Sequence, residues 1–234
     1  MNNIFEIQVL LLSLRVGFVS VLLSLPFGIY VAWILEKNHF RGKIILQCIV
    51  NLPLVLPPVV IGYLLLILLG RNGILGYWLF EWLGFSFSFS WWGAVLASSI
   101  VAFPLMVRSI RTSIELLDES HQQVAKTLGA SSFKIFFKIT LPLLIPGILI
   151  GMILAFARAI GEFGATVTFL VLTPDTVQTL PNAIFRLLSS VEESGTVFRL
   201  CMISIVISFA ALVFSEMLTQ WGKKRVGAKA HVKS

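Results

Sequence analysis

The chain has 234 residues, 57% of them hydrophobic and only 12% charged, with a formal net charge of +7. Water-soluble domains carry about 25% charged residues, so this composition and a mean hydropathy of +0.94 exclude an ordinary soluble domain. Five apolar runs are long enough to cross a bilayer: roughly 9–35, 44–69, 91–107, 143–165 and 197–218. The expectation is an all-α polytopic membrane protein, a single transmembrane domain over 1–234.

The first run lacks a basic leader and a small-x-small cleavage site, and it is too long for a cleavable signal. It is therefore expected to stay as a span, with Arg15 snorkelling to the outer interface. Lys37, Arg41 and Lys43 follow it. Arg108, Arg111, Lys126, Lys134 and Lys138 crowd the third connection, and Lys223, Lys224, Arg225, Lys229 and Lys233 the tail. The alternate connections hold only Arg71, Arg186 and Arg199. Lysine and arginine gather on the cytoplasmic side, which puts the N-terminus outside and the C-terminus in the cytoplasm. The pI near 9.7 is then a product of topology, and no nucleic acid is expected as partner.

The second run reads Asn51-Leu-Pro-Leu-Val-Leu-Pro-Pro-Val-Val-Ile-Gly62. Pro53, Pro57 and Pro58 each remove a donor and obstruct the preceding turn. A break of that kind survives in lipid only against protein or water, so these prolines are candidate pathway residues, a packing kink being the alternative. The aromatic-rich connection 77–92 reads as an interfacial belt. The turn Glu192-Glu-Ser-Gly195 reads as a solvated acidic loop.

The connection at about 112–141 is the least membrane-like segment. Ser120-His-Gln-Gln123 has the spacing of a capping box. Gly129 stands where a short helix ends in a left-handed residue. Ser131 can cap a second helix that carries Phe133, Phe136 and Phe137 on one stripe. Two short helices about a glycine corner make a knob for a partner's groove.

In the fourth run Arg158 and Glu162 are four apart and can pair on one face. Charges in a bilayer are expensive and face protein or water. The pair is either part of an outer gate or a structural clamp. Gly161 and Gly164 permit close helix approach for packing or gating alike. Cys48 and Cys201 fall in spans and read as buried structural thiols, and no metal or cofactor is expected. No Gly-x-x-x-x-Gly-Lys-Ser/Thr loop is present, so any ATP is hydrolysed by another chain. The absence of an internal repeat argues against two-halved secondary transporters.

These residues carry a resemblance. ATP-binding cassette importers have in their membrane subunits a loop written E-A-A, three residues, G, nine residues, I, one residue, L-P. Gln123, Val124, Ala125, Gly129, Ile139, Leu141 and Pro142 fall on that frame, with Gln for Glu and Val for Ala. Leu52–Tyr63, Phe103-Pro-Leu-Met-Val-Arg108 and Gly161-Glu-Phe-Gly-Ala165 further resemble the permease subunit of bacterial molybdate importers. The resemblance implies the type I importer permease fold in the bacterial inner membrane. It implies a homodimer of permeases, two cytoplasmic ATPase subunits and an extracytoplasmic oxyanion-binding protein. It also implies a coupling role for Ser120, Gln123, Val124, Ala125, Gly129, Ile139, Leu141 and Pro142, with Ala125 packed against the ATPase. Tungstate, sulfate or thiosulfate are alternative cargoes. An ion-coupled carrier using Arg158 and Glu162 as a relay, or a non-transporting scaffold, are alternatives of other classes.

Overall fold

The computed structural model describes residues 2–88, 90–117, 120–169, 178–189 and 194–230, and these form helices and their connections without a strand. Four helices are long and apolar enough to span a bilayer, or five if one bent pair counts as a span. Helix α1 (Asn2–Lys37) leads to α2 (Lys43–Val55) and α3 (Pro58–Leu69), then a short α4 (Gly76–Leu83) and the long α5 (Trp91–Glu115). Beyond them lie α6 (Ser120–Thr127), α7 (Ser132–Ile135), a π-helical turn (Phe136–Thr140), α8 (Leu141–Ile160), α9 (Gly164–Phe169), α10 (Leu180–Ser189) and α11 (Ser194–Ala230).

The second apolar run is two helices meeting at 114°. Leu56 is extended at φ −69°, ψ 140°, as a residue before proline prefers. Pro57 follows at ψ 133°, and Pro58 opens α3, where its missing donor costs nothing. Pro53 is held inside α2 without breaking it. The fourth run also departs from expectation. It is not one helix over 143–165: α8 stops at Ile160, Gly161 turns the chain, and α9 restarts at Gly164. At its other end α8 is continuous with α7 and the π-helical turn, so that one helical element covers Ser132–Ile160.

Helices α1, α5 and α8 form the centre. Association in lipid depends on close packing and interhelical hydrogen bonds, since tails are as apolar as leucine. The contacts fit that rule. Ser20 Oγ donates to the Val95 carbonyl at 2.9 Å and Ser109 Oγ to the Gly147 carbonyl at 3.1 Å. A Cβ on Gly151 would lie 3.2 Å from the Met106 carbonyl oxygen, and one on Gly147 would strike Ser113. Around this crossing sit Ala102, Met106, Ile110, Leu144, Ile148 and Ala155. Ion pairs close both ends: Arg111 to Glu36 at 2.7 Å and Arg199 to Glu6 at 2.8 Å. A second core of Ile61, Leu65, Ala97, Val101, Ala165 and Phe169 joins α3 and α9 to α5.

Arg15, read as a snorkelling side chain, stacks its guanidinium over Trp91 at 4.3 Å. Cys48 is exposed on α2 and Cys201 half-buried, because the outward faces of a membrane helix are as apolar as its core. The Glu192–Glu193 turn lies outside the described residues.

Candidate functional site: a helical knob and two broken helices

The loop forms the expected corner. Gly129 has φ +78°. Ala130 N–H donates to the Ala125 carbonyl and Gly129 N–H to the Lys126 carbonyl, both at 3.0 Å, the two bonds of a Schellman ending. Ser131 then caps α7 by accepting from Lys134 N–H at 3.4 Å. The described part of α6 begins at Ser120, and residues 118 and 119 before it lie outside the described residues, as does the test of the capping box.

Ala125 is only 9% exposed within its own chain, and its carbonyl accepts at the corner. The groups free to meet a partner are Val124, Leu128 (82% exposed) and Phe133 (72% exposed). The three phenylalanines touch, Phe133–Phe137 at 4.5 Å and Phe136–Phe137 at 5.2 Å between centroids. They do not share one outward stripe. Phe136 turns in to meet Trp33 of α1 edge-on at 5.4 Å. The cause is the π-turn, where Leu141 N–H bonds back five residues to Phe136 and shifts the helical phase. Ile139 and Leu141 are half-buried there, and Pro142 is exposed in the first turn of α8.

The two breaks lie against each other. A Cβ on Gly164 would come within 2.7 Å of Pro58 Cβ. A Cβ on Gly62 would come within 2.6 Å of the Ala165 carbonyl oxygen. Arg158 and Glu162 pair as their spacing suggests, Nη1 to Oε2 at 2.6 Å, with Arg158 31% and Glu162 1% exposed. Glu162 lies past the end of α8, however, in the break itself. Its Oε1 accepts from Ala165 N–H at 2.9 Å, and its carbonyl accepts from Thr166 Oγ1 at 3.1 Å. One carboxylate thus fastens the end of α8 to the start of α9. Gly161 ends α8, and a Cβ there would meet nothing nearer than the Ala157 carbonyl oxygen at 3.7 Å.

Pro53 stands apart from this junction. It lines a nearly wholly apolar groove of about 380 Å³ between α1, α2 and α5, with Ser24, Ile49, Leu96, Ser99 and Phe103. The sequence-derived pathway set therefore divides. Pro57, Pro58, Arg158, Gly161, Glu162 and Gly164 belong to the two breaks, and Pro53 to the groove. Trp33 and Gly62, which position the knob and the junction, carried no distinctive sequence signal. No cluster of three His, Cys, Asp or Glu side chains gathers among the described residues.

The family model of the binding-protein-dependent transport system inner membrane component matches residues 24–223. The chain belongs to that family. Like other members it is a transport component of the inner membrane rather than an enzyme. It is 49% identical over 222 residues to the molybdenum transport system permease protein ModB of Escherichia coli K12, covering 95% of this chain and 97% of that one. The Haemophilus influenzae ModB gives the same identity and coverage. The sulfate transport system permease protein CysW of Synechocystis is 31% identical, covering 89% of this chain and 75% of that one. Among solved structures, a bacterial ABC transporter that imports the acidic polysaccharide alginate shares the fold. Its TM-score is 0.69 at 18% identity, over 92% of this chain and 78% of that one.

Proposed function

We propose that this permease carries molybdate into the cytoplasm as the membrane half of an ATP-driven importer. Two copies would pair about the pathway, with two ATPase subunits on the knobs and a binding protein on the outer face. The observation that carries the reading is the 49% identity to ModB along nearly the whole chain, against 31% to the sulfate permease. The charge bias of the connections supports an outside N-terminus and a cytoplasmic knob.

The mechanism follows from the geometry. Leu128, Val124 and Phe133 supply an apolar knob outside the membrane, which a groove on an ATPase would bury. ATP closure would draw the two knobs together. Each knob continues without interruption into α8, whose far end carries the Arg158–Glu162 junction. Movement at the knob would therefore reach the outer break, open the pathway outward and admit the oxyanion; hydrolysis would reset it.

The test is uptake by proteoliposomes holding permease, ATPase and binding protein. Molybdate should accumulate only with internal ATP, and tungstate should compete better than sulfate. Uptake that ignores ATP and collapses with the proton gradient would sink this reading in favour of an ion-coupled carrier.

A further inference from the structure

The groove that Pro53 lines has the wrong chemistry for an oxyanion. It holds two hydroxyls, and both protons are already given away. Ser24 Oγ donates to the Ser20 carbonyl at 2.6 Å, and Ser99 Oγ to the Val95 carbonyl at 2.7 Å. Nearly all of the remaining wall is hydrocarbon, and Leu23, Phe27 and Ile49 on its rims are exposed. A space of about 380 Å³ with such a lining takes an apolar guest.

The dimensions narrow the guest. From Trp92 to Phe103 the groove follows α5 for ~16 Å at ~1.5 Å per residue. The hydrocarbon of a bilayer is ~30 Å thick, so the groove is about as deep as one leaflet. Tryptophan concentrates where hydrocarbon meets headgroups, and Trp91 and Trp92 stand at one end of the groove with their rings 4.2 Å apart. Trp92 is a wall of the groove, and Trp91 carries the Arg15 guanidinium at 4.3 Å. Arg15 is exposed and, among the described residues, pairs with no carboxylate. A cation thus sits on two stacked indoles, and an apolar trough of leaflet depth begins at the second of them.

Cation, interface and hydrocarbon, in that order, complement an anionic amphiphile. We propose that the groove between α1, α2 and α5 seats one acyl chain of an anionic bilayer phospholipid, with its phosphate on Arg15. A guanidinium forks onto two phosphate oxygens, which an ammonium cannot do. The chain lies along Pro53 and braces α2 against α1 and α5. The headgroup contact sets this site apart from the rest of the lipid-facing surface, which takes any acyl chain alike.

The test uses the permease with its ATPase, purified in mild detergent and offered phosphatidylglycerol or phosphatidylcholine with identical chains. Native mass spectrometry counts the lipid that stays bound. Phosphatidylglycerol should be retained roughly fivefold over phosphatidylcholine, the worth of one basic side chain beside an anionic lipid. Arg15→Gln should abolish that preference, and Arg15→Lys should keep most of it. Leu96→Trp fills the groove and should reduce retention of both lipids; Ile100→Phe is an independent filling variant if the first fails to assemble. Equal retention of the two headgroups, or filled variants that hold as much lipid as wild type, would overturn the site and leave ordinary boundary lipid. Ile49→Cys, with Cys48 and Cys201 replaced, should not join two permease chains by a disulfide. If it does, the groove belongs to a second copy of the chain and the lipid site is overturned.

Discussion

Nothing lies within 4 Å of a Cβ built on Gly129, so a side chain there is opposed by φ alone. The order of substitutions follows. Asn, which visits the left-handed region, should be tolerated; Ala should be intermediate; Val should lose about 1–2 kcal/mol at the corner. The Val variant should insert normally but lose stimulated ATP hydrolysis and shed its ATPase on purification. Wild-type transport by a Gly129→Val protein would remove this loop from coupling. Gln123 is exposed, and Gln123→Glu should change nothing measurable. Glu162 behaves differently. Glu162→Ala leaves the part-exposed Arg158 guanidinium and the Ala165 N–H without their shared acceptor, at a cost of about 1–3 kcal/mol. Glu162→Gln keeps the acceptor and should cost less. Exchanging the two charges should also destabilise the protein, because arginine at 162 cannot accept from Ala165. Thermal unfolding of the purified permease would rank all three, and an exchange as stable as wild type would show that the capping bond carries no weight.

At the scale of elements, the glycines of Gly161-Glu-Phe-Gly-Ala165 separate into two kinds. Gly164→Ala pushes a methyl into Pro58, and Gly62→Ala pushes one into the Ala165 carbonyl, so each should cost about 1–3 kcal/mol. Gly161→Ala meets its nearest atom at 3.7 Å and should be tolerated in assembly. Equal losses at 161 and 164, measured as detergent-stable permease, would contradict the contact between the breaks. These elements also show where sequence was sufficient. The apolar runs, the break at Pro57–Pro58, the Arg158–Glu162 pair and the Gly129 corner were legible, because each rests on local chemistry with a fixed spacing. The stop at Ile160 was not, since it depends on a carboxylate reaching forward to a backbone donor. Nor was the π-turn, which no residue type demands. The inward turn of Phe136 follows from that turn and from Trp33, a partner a hundred residues away.

For the whole molecule, the charge asymmetry is the least local property and the easiest to check. In a background with Cys48 and Cys201 replaced, Ser86→Cys should react with an impermeant reagent on intact cells, and Ser120→Cys should react only after permeabilisation. The reverse pattern would invert the topology and put the knob on the side without ATP. The unclear signals in the sequence were likewise global. Cys48 and the outer faces of α2 and α11 look like core by composition, and only the packing reveals which face is turned away from the bundle.

The unbroken run Ser132–Ile160 is about 43 Å long at ~1.5 Å per residue. It crosses α5 closely at Gly147, which faces Ser113 and accepts from Ser109, and at Gly151, which faces the Met106 carbonyl. A stiff beam held at such a crossing is a seesaw, and a fulcrum midway between the two glycines sits ~25 Å from the knob end and ~17 Å from the other break. Its two ends move in opposite directions, the outer one by roughly two-thirds of the inner displacement. In the proposed dimer two such beams, squeezed together at the knobs, would spread at their other ends. The alternation of inside and outside access would then need no separate gate signal. It would be written into the position of two glycines along one helix.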